Sequence, residues 1–132
     1  MKRYSFSIQE KIKNKKDFEK IFSTGKVIFS SDRKIKATYI IKKNHDHPGV
    51  KVAAVVYKKA GIAVWRNRTK RLIKEAYRLN KEKLMEECIM KKVMLLIAFS
   101  PYYLNEKNNK KLRFNDVMQG VVEIMLKLKS SI

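Results

Sequence analysis

Apolar positions in this chain switch between two periods, and the switches mark its elements. In NKKDFEKIFSTG, Phe18, Ile21 and Phe22 fall at i, i+3 and i+4, with Asn14 placed to cap and Gly25 to stop, which predicts a short amphipathic helix. From Lys26 to Tyr57 the period drops to two. Val27 to Phe29 reads as a brief strand, and Ile35, Ala37, Tyr39 and Ile41 alternate with Lys34, Lys36, Thr38 and Ile40 as a half-exposed strand does. The turn signal NHDHPG then leads into VKVAAVVY, and these two runs are expected to pair antiparallel.

Helical spacing returns with Leu72, Ile73, Ala76, Tyr77 and Leu79, which read as a core stripe. Helix formers dominate from Thr69 to Lys83, and the helix is expected to reach Glu87. KVMLLIAF, from Lys92 to Phe99, is almost wholly apolar, as a central strand is, and Pro101 closes it. After a lysine-rich loop from Asn105 to Lys111, the spacing of Val117, Val121, Ile124, Met125 and Leu128 predicts a last helix from Phe114 to Lys129. This order indicates an α+β fold, a single α/β sandwich with helices packed on one sheet. The 132 residues suit one domain spanning 1–132, with 1–11 expected as a loosely packed N-terminal segment.

Charge changes the picture from a fold to a partner. Thirty-two basic residues against twelve acidic ones leave a net charge of +20, a self-repulsion that a polyanion relieves. Nucleic acid is the leading expectation. A membrane surface is disfavoured, because the apolar stripes are accounted for as core and no run is long enough to span a bilayer. A lone cysteine, Cys88, excludes an internal disulfide and a cysteine cage for metal, and no signal-peptide pattern is present, so a cytoplasmic protein is expected.

The basic residues concentrate between Lys58 and Arg78. There Arg66, Arg68, Lys70, Arg71, Lys74 and Arg78 accompany Asn67 against the single acid Glu75, which pairing with Arg71 or Arg78 accounts for. Lys70, Lys74 and Arg78 lie one turn apart, so one helix carries a core stripe and a basic stripe. Arginine's planar fork grips phosphate and stacks on bases, asparagine donates and accepts at base edges, and the helix N-terminus adds partial positive charge. Phe18 and Phe22 are at a spacing that suits either core packing or, beside Tyr39 and Tyr57, a cleft where a single strand stacks its bases. Tyr102 and Tyr103 follow a strand and read as structural, and Cys88 reads as a small apolar residue. His45 and His47 sit in a turn without further ligands, a pattern of a solvated loop more than of a metal site. The acids are scattered, with none of the carboxylate clusters that a metal-dependent nuclease assembles, so no catalytic and no metal-binding residue is assigned.

The run VYKKAGIAVWRNRTKRLIKEAYR closely resembles the RNR motif of the bacterial ribonuclease P protein subunit family, and DFEKIFSTGK resembles that family's first-helix signature. Order and spacing agree from Ile12 to Lys129. Tyr57 and Ile62 stand where the family often has serine and asparagine, and Ala53 and Ala54 replace a more usual glycine and leucine.

The resemblance implies a sheet of about four strands, three helices and a left-handed βαβ crossover. It implies that the chain joins a catalytic RNA, that the holoenzyme removes the 5′ leader of precursor tRNA, and that Mg2+ serves the RNA-containing holoenzyme while the protein alone binds no cofactor. Carried over, Lys58, Lys59, Arg66, Asn67, Arg68, Lys70, Arg71, Lys74 and Arg78 face the catalytic RNA, and Phe18, Phe22 and Tyr39 line the leader cleft. The alternative from another class is a structural RNA-binding protein of ribosomal or RNA-chaperone type. DNA as partner is disfavoured, because a major-groove helix lacks a second positioning helix nearby and a dimerisation seam.

Overall fold

A computed structural model describes residues 11, 12 and 15–132. Its organising strand is the most apolar one. Met94–Pro101 is buried along its whole length, because a strand with no polar face is stable only with both faces covered and both edges paired. We number the elements α1 (Lys15–Thr24), β1 (Lys26–Phe29), β2 (Ile35–Lys42), β3 (Gly49–Ala54), α2 (Ala63–Asn80), α3 (Glu82–Met90), β4 (Met94–Pro101) and α4 (Phe114–Ser131). The four strands form one sheet in the order β1-β2-β4-β3. β4 pairs antiparallel with β2 and parallel with β3, and β1 pairs antiparallel with β2.

This order corrects the expected pairing of the two strands that flank NHDHPG. β2 and β3 are consecutive but not neighbours, since β4 lies between them. The crossover through α2 and α3 is long enough to return the chain parallel to β3, and the almost wholly apolar β4 gains a covered place by entering the centre. The antiparallel hairpin instead joins β1 to β2.

Strand parity divides the interior. Ile35, Ala37, Val50, Val52, Leu95, Ile97 and Phe99 face α2, α3 and α4 in the larger core. Ala53, Met94, Leu96 and Ala98 face the other way, toward Ile21 of α1 and Ile12, with Phe18, Ile40 and Val55 at the margin. The ten-residue α1 covers only part of that face. Gly25 brings it down onto β2: a Cβ there would lie 2.3 Å from the Ile21 carbonyl oxygen and 2.9 Å from Thr38 Cγ2.

The basic helix buries Trp65, Thr69, Ile73, Ala76 and Tyr77, and the Thr69 hydroxyl donates to the Trp65 carbonyl at 2.8 Å. Leu79, expected in the core stripe, is instead 40 % exposed. The helix expected to reach Glu87 is two helices, so the fold has four helices in place of three. Asn80 donates its side-chain amide to the Ala76 carbonyl at 2.8 Å, and the chain bends so that Leu84 and Cys88 of α3 reach the core beside β3. The last helix lies where it was predicted and runs on to Ser131. Its first turn is closed by the Arg113 N–H donating to Asp116 Oδ2 at 2.8 Å, and Gly120 lets it settle on Ile35. The N-terminal expectation for 1–11 falls outside the described residues except at Lys11, and the capping role of Asn14 falls outside them too. Lys11 bridges Val52, and the Ile12 N–H donates to the Val52 carbonyl at 3.2 Å along the free edge of β3.

Candidate nucleic-acid interface

The start of α2 is fastened by the loop before α4. The Ile62 N–H donates to Glu106 Oε1 at 2.9 Å, the Glu106 N–H to the Ala60 carbonyl at 2.7 Å, and Trp65 Nε1 to the Asn109 carbonyl at 3.0 Å. Gly61 makes this approach possible, since a Cβ there would sit 2.9 Å from Glu106 Cβ. Arg66 Nε donates to the Gly61 carbonyl at 3.1 Å, while Arg68 donates to the Leu112 carbonyl from Nε at 3.2 Å and from Nη2 at 2.8 Å. Both arginines of the RNR run are therefore committed in part to the fold, which the sequence pattern did not reveal.

Solvent still reaches this face of the helix. Asn67, Arg68, Arg71 and Lys74 are exposed, and Arg66, Lys70 and Arg78 are half-buried. Asn67, Lys70, Arg71, Lys74, Glu75 and Arg78 line an open groove of about 380 Å³ together with Lys11, which the β3 edge brings alongside. Nothing in the sequence marked Lys11, because only the edge pairing places it there. Glu75 binds Arg78, as the sequence allowed, through a hydrogen-bonded ion pair that holds the carboxyl below its usual range and raises the guanidinium. Lys58 and Lys59 form an exposed 3-10 turn just before α2. The result is a cationic groove whose one acid is neutralised, suited to a run of phosphates.

The sheet face partly covered by α1 is a second surface. Phe18 is half-buried against the smaller core, and Phe22, one turn on, is 49 % exposed. Tyr39 is not with them. It packs against the larger core on the opposite side of the sheet, because side chains alternate and β2 turns Thr38 and Ile40 toward α1. The aromatic neighbours on the cleft side are others: Lys36 Nζ lies 5.6 Å from the ring centres of both Tyr57 and Tyr102. Tyr102 had read as structural, since only the sheet register brings it beside Lys36.

The remaining candidates have local roles. His45 Nδ1 accepts the His47 N–H at 3.0 Å within the loop. Cys88 is buried, and burial pushes its thiol up to about 11. Among the described residues no group of three or more His, Cys, Asp or Glu side chains is placed to hold a metal ion, and no helix is long and apolar enough to cross a membrane.

Comparison with known proteins agrees with this geometry. Residues 6–123 match the family model of ribonuclease P. The chain is 43 % identical over 75 residues to the ribonuclease P protein component of Clostridioides difficile, a match spanning 57 % of this chain and 61 % of that protein. It is 32 % identical over 121 residues to the component of Dictyoglomus turgidum, covering 92 % and 90 % of the two chains. In fold it is similar to the RNase P proteins of Thermotoga maritima (TM-score 0.63, 22 % identity, 93 % of this chain and 97 % of that one) and Staphylococcus aureus (TM-score 0.64, 22 % identity, 90 % and 94 %). By the extent of the family match, and by a relative aligned over nearly its whole length, this chain belongs to the ribonuclease P protein family.

Proposed function

We propose that this chain is the protein subunit of a cytoplasmic ribonuclease P, binding the catalytic RNA through α2 and the single-stranded 5′ leader of precursor tRNA along the sheet face beside α1. The observation that carries this is the pairing of two unlike surfaces: a cationic groove containing Lys70, Arg71 and Lys74, and a part-covered sheet face with Phe18 and Phe22 at its rim. The groove supplies charge for structured RNA, and the rings supply flat apolar faces for unpaired bases.

In this reading the protein cuts nothing itself. Its cations offset the mutual repulsion of catalytic RNA and substrate, so the two assemble at lower salt and lower Mg2+. We assign the Mg2+ of the holoenzyme to the RNA and the scissile phosphate, whose oxygens are the hard ligands this ion takes. The protein's residues bind, orient and screen.

The test is reconstitution of this chain with a cognate ribonuclease P RNA and precursor tRNA at low magnesium, omitting each component in turn. Cleavage at the mature 5′ end should need the RNA and be strongly raised by the protein. Cleavage by the protein alone, or no stimulation of the RNA, would refute the assignment.

A further inference from the structure

The loop between β4 and α4 runs along α2 in a fixed register. The Ile62 N–H meets Glu106 Oε1, Trp65 Nε1 meets the Asn109 carbonyl, and Arg68 meets the Leu112 carbonyl, each pair 44 residues apart in the sequence. Every third residue of the helix start is thus tied to every third residue of the loop. Leu104 and Leu112, only 2 % and 1 % exposed, anchor the two ends of this strap in the core. Within it the Asn109 N–H donates to the Asn105 carbonyl at 2.8 Å, and the Asn108 N–H to Asn105 Oδ1 at 2.9 Å.

This register decides where the lysines go. Three helical residues advance about 4.5 Å along the axis, whereas three extended residues span about 10 Å, so the chain between fastened positions must bulge away from α2. Lys107, Asn108, Lys110 and Lys111 occupy the bulges, and all four are exposed. Glu106, the one acid from Leu104 to Arg113, is turned to the helix start. Among the described residues no ion pair holds any of the three lysines. The same stretch carries no aromatic ring, so it offers charge without a surface on which bases stack. Asn67, Lys70 and Arg71 line the cationic groove on another side of α2.

We propose that Lys107, Lys110 and Lys111 form a second phosphate-binding edge for the catalytic RNA, held in register with α2 by Glu106; this rests on the subunit reading above. The backbone of folded RNA is the ligand that fits, since it presents phosphates at fixed spacing while its bases stay paired. Glu106 is a positioning residue: its carboxylate fastens the strap to the first turn of α2, where Gly61 leaves room for it. RNA then meets cations on two sides of the helix start.

The test is salt-dependent binding of the full chain to a cognate ribonuclease P RNA. The variants are the triple Lys107→Ala, Lys110→Ala and Lys111→Ala, then Glu106→Ala, Glu106→Gln and Lys70→Ala, with Lys43→Ala in the turn between β2 and β3 as an exposed control. The triple variant should keep its Tm and lower the slope of log K against log salt by about 2 to 3, one contact per lysine. Glu106→Ala should lower the slope as well, although on charge alone loss of an acid would tighten binding. Glu106→Gln, which keeps an acceptor oxygen, should restore the slope, and Glu106→Ala added to the triple variant should lower it no further. An iron chelate tethered at Asn108→Cys, with Cys88 buried out of its reach, should cut the catalytic RNA. A slope unchanged in the triple variant, with Lys70→Ala still lowering it, would overturn the strap edge and leave the subunit reading standing. So would an equal loss per lysine in Lys43→Ala, or cuts confined to precursor tRNA. A slope unchanged in every variant would overturn both.

Discussion

Arg68 grips the carbonyl oxygen of Leu112 with both Nε, at 3.2 Å, and Nη2, at 2.8 Å, tying the second arginine of the RNR run to the loop that precedes α4. Lysine cannot reproduce a two-pronged contact. Arg68→Lys should therefore cost about 1 kcal/mol, a charged hydrogen bond discounted for exposure, and lower Tm by a few degrees. Amide exchange in Asn109 to Leu112 should quicken with it. An unchanged Tm would mean that the contact is not held in solution.

Lys70, Arg71 and Lys74 face the groove without a carbonyl partner of that kind, so their removal should act on RNA and not on the fold. Each alanine variant should keep its unfolding free energy within about 0.5 kcal/mol of wild type and lower the slope of log K against log salt by about 0.7 to 0.9. Salt titration of binding to the catalytic RNA reads this directly, and an unaltered slope would remove the residue from the interface.

Phe18 and Phe22 should separate fold from leader binding. Phe22 is 49 % exposed, so Phe22→Ala should weaken precursor over mature tRNA, by about 5-fold or more, with little change in Tm. Phe18 packs against the smaller core, and Phe18→Ala should lower both affinity and Tm. Equal losses for precursor and mature tRNA would exclude a leader contact for either ring. Tyr39→Phe, on the other side of the sheet, should leave leader affinity unchanged.

Gly25 fixes how closely α1 lies on β2. An alanine Cβ would sit 2.3 Å from the Ile21 carbonyl oxygen and 3.1 Å from that of Tyr39, both backbone atoms that cannot turn aside. Gly25→Ala should destabilise by about 1–3 kcal/mol and displace the helix carrying Phe18 and Phe22. Denaturant unfolding checks the first effect and leader affinity the second.

Acid should loosen the β1-β2 turn. Partial burial opposes ionisation of Asp32, but the Lys34 N–H and Ser30 hydroxyl outweigh it, and Lys127 together with Ser31 holds Glu123 down; both carboxyls titrate below their ordinary 3.8 and 4.5. A carboxyl with a lowered folded pKa favours the fold when ionised. The contribution is therefore present above those ordinary values and lost as pH falls through the lower folded ones. Amide exchange at Ser31 and Lys34, after correction for its intrinsic pH dependence, should show protection lost in that window, and Glu123→Gln should remove the pH dependence at Ser31.

Much of this was written locally. The periods of two and 3.6 place β1, β2, β3, β4 and the cores of α1, α2 and α4, because burial of one face is a property of neighbouring residues. The excess of cations around Arg66 to Arg78 is likewise a matter of composition, and with the first-helix signature it was enough to reach the family. What the string of residues could not decide depends on segments far apart in it. β4 separates β2 from β3 because its apolar faces need cover on both sides, a competition settled only when the whole sheet assembles. Its register puts Tyr39 in the larger core and Tyr102 beside Lys36, and loop packing turns Arg68 inward to Leu112. Sequence fixes which residues are cationic, aromatic or apolar; which of them share a surface follows from strand order and parity, and those arise from long-range pairing that no local pattern encodes.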